Sequence, residues 1–289
     1  MPLVPSQRTG RSTALFLNAQ RKRQQRLFAQ GQDVPVNPTR IGLLPGDIDP
    51  GQEINRSLLF CCGSHPAGSP LLGVDLIKRR PATLLGSADL SADHPDIGWK
   101  SFNSPAAADL VFFRSAALRG IGESFSIGAY IAVDSAESNA MICCVPWFDP
   151  GWSSPFASLS WGREGTTSAG AEARWSDGNT LITVANTSGS DMWPDDTNGH
   201  WLVWTRMGTT HRFYFDGVKQ GLDVTGDAST PVFNSDGSRD LFLFGRNDQN
   251  PGHNLNGKIY AISIWQRELS AAEVSALAAN STVQFIGGS

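Results

Sequence analysis

"HWLVWTRMGTTHRFYFDGVKQG", residues 200–221, reads as a β-meander. Trp201, Val203 and Thr205 share one face of its first strand, and His211, Phe213 and Phe215 alternate against Arg212 and Tyr214 in the second. Gly208-Thr209-Thr210 turns the chain between them. Asp216-Gly217 supplies a second tight turn, because an Asp-Gly pair accepts the positive φ of a type I′ hairpin. Aromatic residues occupy both faces of this meander, so Trp201 and Trp204 are expected in the interior, with Trp265 of a later strand.

Outward from this stretch the β pattern continues. The apolar runs "SLLFCCG" (57–63), "SFSIGAYIAV" (124–133), "NAMICCV" (139–145), "ASLSWG" (157–162) and "LITVAN" (181–186) precede it, and "LFLFGRN" and "GKIYAISIW" follow. The chain then changes period. "LSAAEVSALAAN" predicts one short helix with Ser270 as N-cap and Glu273 three residues on to complete a capping box. Leu269 and Val274 take the positions of a hydrophobic staple. Thirty glycines, 17 prolines and nine tryptophans among 289 residues suit many short strands joined by turns.

The first 55 residues differ. Arg8, Arg11, Arg21, Lys22, Arg23 and Arg26 all precede the first acidic residue, Asp33, although the whole chain carries a net charge of -4. Ser12 to Gln30 can form a helix, but Leu15, Phe16, Leu27 and Phe28 cluster at its two ends and leave no continuous apolar stripe. The proline-rich run 33–52 then reads as an extended connector. Residues 1–55 are therefore expected to be an anchoring arm and residues 56–289 a single domain. No stretch approaches the roughly 20 apolar residues of a membrane span, and Ala14 to Leu17 is too short for a signal-peptide core, so folding in the cytoplasm is expected.

The four cysteines form two adjacent pairs, Cys61-Cys62 and Cys143-Cys144. Neighbours on a strand point to opposite faces, so each pair splits its thiols between two sides of a sheet. Buried thiols acting as small hydrophobes are the simplest reading, with a bridge between the pairs left open.

In order and content these pieces resemble the laminin G-like group of the concanavalin A-like lectin and glucanase superfamily. "SFSIGAYIAV" looks like the family's early sheet strand. Residues 199–221 are similar to its tryptophan strand, turn and strand ending in Asp-Gly, and "LFLFGRN…NLNGKIYAISIWQRELSAAEVSAL" to its last strands and closing helix. "PATLLGSADL" and "KSFNSPAAADLVF" fit more loosely, and coverage runs from about residue 56 to 283. The resemblance implies an all-β, two-sheet antiparallel jelly-roll sandwich with one short C-terminal helix.

That fold hosts sugar binders, calcium-dependent modules, glycoside hydrolases and structural domains, so function has to be argued from sites. The hydrolase branch needs Glu-x-Asp-x-x-Glu carboxylates on one strand. "AVDSAE" supplies Asp134 and Glu137 but puts Ala132 at the nucleophile position, so no enzyme is expected. Sugar-stacking candidates are Trp147 and Trp152 in "VPWFDPGWSSP" and Trp193 in "SGSDMWPDDTNGH", read together as one rim of the sandwich. Asp191, Asp195 and Asp196 beside Trp193 are the candidate calcium ligands, and no other cofactor is expected.

Three functions fit. The first is a structural protein of a tailed-bacteriophage virion: a fibre, decoration or receptor-binding component in a homo-oligomer or symmetric assembly. It would be joined to other virion proteins through Leu15, Phe16, Arg21, Lys22, Arg23, Arg26, Leu27 and Phe28, and would display its lectin-like domain to host glycans. The second is a secreted or surface carbohydrate-binding module. The third is a nucleic-acid-associated protein using the basic arm, although its Arg and Lys are not interleaved with aromatics for base stacking.

Overall fold

The computed structural model describes residues 49, 51–63, 74–77, 80–85, 89–93, 100–104, 110–113, 118, 121–133, 140–145, 155–161, 171–177, 181–185, 199–225, 241–244, 255, 257–280 and 284. The arm residues Leu15, Phe16, Arg21, Lys22, Arg23, Arg26, Leu27 and Phe28 lie outside the described residues.

After a 3-10 turn (Glu53–Asn55) the described strands are β1 (Leu58–Gly63), β2 (Val74–Asp75), β3 (Arg80–Pro81), β4 (Thr83–Leu85), β5 (Asp89–Asp93) and β6 (Lys100–Ser104). β7 (Leu110–Phe113), β8 (Ser124–Val133), β9 (Ala140–Val145), β10 (Pro155–Trp161), β11 (Ala171–Asp177) and β12 (Leu181–Ala185) follow. The chain closes with β13 (His200–Met207), β14 (Thr210–Phe215), β15 (Val218–Thr225), β16 (Leu241–Leu243), β17 (Gly257–Trp265) and helix α1 (Ala271–Ala279). One sheet has the order β15-β14-β13-β8-β17-β6-β5, with β1 also paired to β17; the other runs β12-β11-β10-β9-β16-β7-β4. Every pairing is antiparallel, as the jelly-roll reading requires.

The alternation along β8 explains how the layers are held. Phe125, Ile127, Ala129, Ile131 and Val133 point between the sheets, where they meet Ile142, Ala157, Leu159, Ala173, Leu241 and Leu243 from the second sheet. Tyr130 and Ala132 face the other way, into a second apolar cluster. There Trp201, Val203, Tyr214, Tyr260 and Trp265 are covered by Ile54, Leu76, Leu269, Val274 and Leu277. The larger sheet is thus buried on both sides, which is why its meander carries aromatic residues on both faces. Trp201, Trp204 and Trp265 are all fully interior. Gly128 makes this packing fit, since a Cβ there would lie 3.2 Å from Cζ3 of Trp265 and 3.4 Å from Cζ3 of Trp201.

β17 breaks its own alternation once. Its pairing with β8 steps from Ile259↔Ile131 to Ala261↔Tyr130, leaving Tyr260 as an extra residue. Tyr260 and Ala261 consequently share the second cluster, while Ile259 and Ile262 lie between the sheets. The cysteine pair of β1 divides as the strand period demands: Cys62 lies between the sheets and Cys61 in the second cluster. Burial pushes the thiols of Cys61 and Cys143 up to about 12, so both behave as small hydrophobes.

Local sequence signals act as read. Asp216 and Gly217 have φ of 45° and 80°, as a type I′ turn requires. Ser270 caps α1, and both halves of the capping box with Glu273 form. Leu269 and Val274 are buried together in the second cluster. Ser126 fixes where the helix begins: its Oγ accepts from Leu269 N at 2.8 Å and donates to Arg267 O at 2.9 Å.

Asp49–Asn55 are stitched onto the same side of the larger sheet. Trp265 Nε1 donates to Ile54 O (2.6 Å), and Arg267 donates to Arg56 O and Glu53 O (both 2.9 Å). Asn55 Nδ2 reaches Asp49 O and Gln284 O (both 2.8 Å), and Asp49 N donates to Gln284 O at 3.0 Å. The packed part of the chain therefore takes in Asp49–Asn55, which composition groups with the connector.

Candidate functional site

A ligand needs a surface that the fold does not use for itself. The outer face of the eight-stranded sheet is consumed by the second apolar cluster under α1. Its exposed margin is tied up by ion pairs, in which Arg212 bonds Asp223 (2.9 Å) and Glu268, and Lys219 bonds Asp223. The hydrogen bond from Lys219, with Arg212 nearby, holds the Asp223 carboxyl below its ordinary value. Among the described residues no element packs on the outer face of the seven-stranded sheet.

One residue from every strand of that sheet falls in a single row. The register partners in order are Thr183, Arg174, Ser158, Cys144, Phe242, Phe112 and Thr83. Ala157, Leu159 and Ala173, the strand neighbours of Ser158 and Arg174, fill the space between the sheets, so those two residues fall on the opposite face. Ser158 and Arg174 are direct cross-strand partners there, 1% and 7% exposed. Sequence reading missed both. The available signal was the alternation in "AEARWSD", where Ala171, Ala173 and Trp175 oppose Glu172, Arg174 and Ser176.

The sequence-derived candidates Trp147, Trp152, Trp193, Asp191, Asp195 and Asp196 lie outside the described residues. The strands that carry them are described, and they separate the two stretches. Residues 146–154 join Val145 to Pro155, and Pro155 pairs with Asp177. Residues 186–198 leave from Ala185, whose partner Glu172 lies beside Ser160 at the other end of the sheet. The expectation of one shared rim thus becomes two loops rooted at opposite ends, because β10, β11 and β12 run antiparallel between them.

The foot of the second loop is well built. His200 Nδ1 lies 2.6 Å from Asp216 Oδ2, and Trp201 N donates to Asp216 Oδ1 at 2.8 Å. The His200 ring stacks on Phe215 with centroids 5.0 Å apart. A Cβ on Gly199 would sit 2.3 Å from Tyr130 Cζ, so a larger residue where the chain enters β13 would have to displace the tip of the Tyr130 ring. These contacts pin the start of β13 to the Asp216–Gly217 turn; they do not assemble a nucleophile with a base. Ala132, at the position a hydrolase would fill with its nucleophile, is buried in the second cluster.

A second polar pair is internal. Arg206 and His211 are cross-strand partners, both fully buried, with Trp204 Nε1 donating to His211 Nδ1 at 3.3 Å and the two rings stacked. Burial, and then the charge of Arg206, lower the His211 imidazole to about 4, so it is neutral in the folded protein. Among the described residues, no group of three or more His, Cys, Asp and Glu side chains could hold a metal ion. No described helix is long and apolar enough to cross a membrane.

Comparison with known proteins agrees with this architecture. A search of curated proteins finds no match. Among solved structures, domain 4 of AbnA, a GH43 extracellular arabinanase from Geobacillus stearothermophilus solved with arabinotriose, superposes with a TM-score of 0.55 at 16% identity. That match covers 77% of this chain and 98% of that one. The receptor binding domain of botulinum neurotoxin mosaic serotype C/D gives 0.54 at 14% identity, covering 78% of this chain and 51% of that one. The botulinum neurotoxin serotype D binding domain gives the same score, identity and coverage. These likenesses concern the fold. A family model described as "Concanavalin A-like lectin/glucanases superfamily" (Laminin_G_3) matches residues 106–275, more than half of the chain. With that match, and the two antiparallel sheets and closing helix described above, the chain belongs to the concanavalin A-like lectin/glucanases superfamily.

Proposed function

We propose that this protein is a non-catalytic, glycan-binding attachment domain of a tailed-bacteriophage virion, joined to other virion proteins by the segment ahead of Asp49. The observation that carries this reading is the division of the two sheets. One outer face is sealed by α1 and by Asp49–Asn55, so the chain enters the domain on the side that is already closed. The seven-stranded sheet takes no part in that closure and lies across the sandwich from the attachment point. An arm with six basic residues and no continuous apolar stripe suits docking on a partner, where its ordering is offset by new contacts. The arabinotriose bound to the arabinanase domain supports a saccharide as the class of ligand.

Two experiments test this. The full chain, applied to a glycan array with and without calcium, is expected to retain specific saccharides, and Trp193→Ala to lose them if the loop ahead of His200 takes part. Failure to retain any glycan under either condition defeats the ligand. Deletion of residues 1–47, which spares the Asp49–Asn55 stitch, is expected to leave a folded domain absent from purified virions; a truncated chain that still assembles removes the anchoring role.

A further inference from the structure

We infer that residues 49–56 and Gln284 form a latch that opens as a unit while the sandwich stays folded, turning the joint between the domain and the segment ahead of it from rigid to flexible. The latch is a property of the fold and holds whichever ligand the domain takes. Two clamps keep this strap closed. Gln284 is the first: its main-chain oxygen accepts from Asp49 N (3.0 Å) and Asn55 Nδ2 (2.8 Å). Its side chain donates to Asn55 Oδ1 at 3.3 Å and accepts from Ser263 Oγ at 3.1 Å. Arg267 is the second. Its guanidinium donates to Arg56 O and Glu53 O (both 2.9 Å) while gripping both carboxylate oxygens of Glu273 at 2.5 and 2.9 Å.

Apolar burial adds little to these clamps. Among the described residues of the strap Ile54 alone is buried, with Trp265 Nε1 bonded to its carbonyl, whereas Gly51, Gln52, Glu53 and Arg56 are exposed. The chain changes character at Ser57, whose φ of 59° is a conformation that Cβ sterics disfavour. Past this hinge β1 is locked in: Phe60, Cys61 and Cys62 are fully buried, and the strand pairs with β17. Polar bonds contribute modestly in net terms, because water replaces them on opening. A strap held by such bonds and one apolar side chain therefore opens at lower cost than the sandwich. Opening also strands no buried charge, since Arg267 keeps Glu273 when the strap leaves. The freed residues 49–56, at ~3.3 Å each when extended, lengthen the tether by roughly 25 Å.

Hydrogen exchange of the full chain, read residue by residue by NMR across added guanidinium chloride, tests this. The reporters are the bonded amides of Asp49, Gln52, Asn55 and Arg56. They are expected to exchange about tenfold or more faster than the amides of β8 and β13, and with little dependence on denaturant, because their opening exposes little surface. Gln284→Ala should speed the strap amides by about tenfold, by leaving Asn55 Oδ1 and Ser263 Oγ without their bonds, and leave β8 and β13 unchanged. Ser57→Gly relaxes the hinge and should slow the strap by about threefold. That variant also keeps the test standing should the Gln284 variant fail to fold. Strap amides that exchange at the β8 and β13 rates, with the same denaturant dependence, overturn the latch. So does a Gln284→Ala protein whose strap is unchanged, or whose β8 and β13 amides speed up in step with it.

Discussion

Acid should loosen this domain through one imidazole. His211 sits fully buried between Arg206 and the Trp204 ring, with its protonation lowered from 6.5 to about 4. The unfolded chain holds a proton on His211 at pH 5 and the folded chain does not, so folding stability falls as pH drops. The contribution is complete above about pH 6.5 and is lost through the window down to about pH 4. At about 1.36 kcal/mol per pH unit this amounts to on the order of 3 kcal/mol, against a total of about 5–15 kcal/mol for an ordinary domain. Urea unfolding followed by tryptophan fluorescence at half-unit steps from pH 4 to 8 reads it directly. A slope of about 1–3 kcal/mol per molar urea turns the loss into a midpoint lower by about 1–3 M. His211→Gln keeps an acceptor for Trp204 Nε1 but cannot take a proton. Its stability should fall less than that of the parent from pH 8 down to about 4.5, where carboxylates begin to titrate. Parallel curves for the two proteins across that window would falsify the argument.

The backbone and caps give further expectations. Gly217→Ala should cost about 2 kcal/mol or more, since the residue has φ of 80° and the new methyl would lie 3.0 Å from Ser275 Cα of α1; Gly208→Ala, at φ of 57° in open space, should cost about 1 kcal/mol in the same denaturation assay. Ser270→Ala should remove about 1 kcal/mol by leaving Glu273 N uncapped, measured by the shift in thermal midpoint. Cys61 and Cys143, raised to about 12, should resist iodoacetamide at pH 8 in the native protein and react only after denaturation; peptide mapping that finds either alkylated in folded protein would contradict their burial.

Much of the fold was legible because its signals are local. The Asp216-Gly217 turn follows from the φ that its residues tolerate, and the start of α1 from Ser270 and Glu273 closing one reciprocal bond pair. The interior placement of Trp201, Trp204 and Trp265 follows from strand period and size. What stayed hidden depends on long-range pairing. β11 offers Ala171, Ala173 and Trp175 as the apolar half of its alternation, too small a set to announce a strand before β10 and β12 flank it. With β11 unread, Arg174 had no partner in Ser158, and the two tryptophan loops looked like one rim. The extra residue in β17 is similarly invisible, because "KIYAISIW" is apolar throughout and only its pairing with β8 shows where Tyr260 slips.

The bond from Asp49 N to Gln284 O has a topological consequence. The domain's point of entry and point of exit are one hydrogen bond apart, so its fold is a ring broken at a single narrow gap. Such a ring can sit as an insertion within a longer host chain, hanging from a surface loop without stretching it. Equally, a few residues bridging that gap would let the chain be cut at the Gly208–Thr209 turn and run in permuted order through the same two sheets.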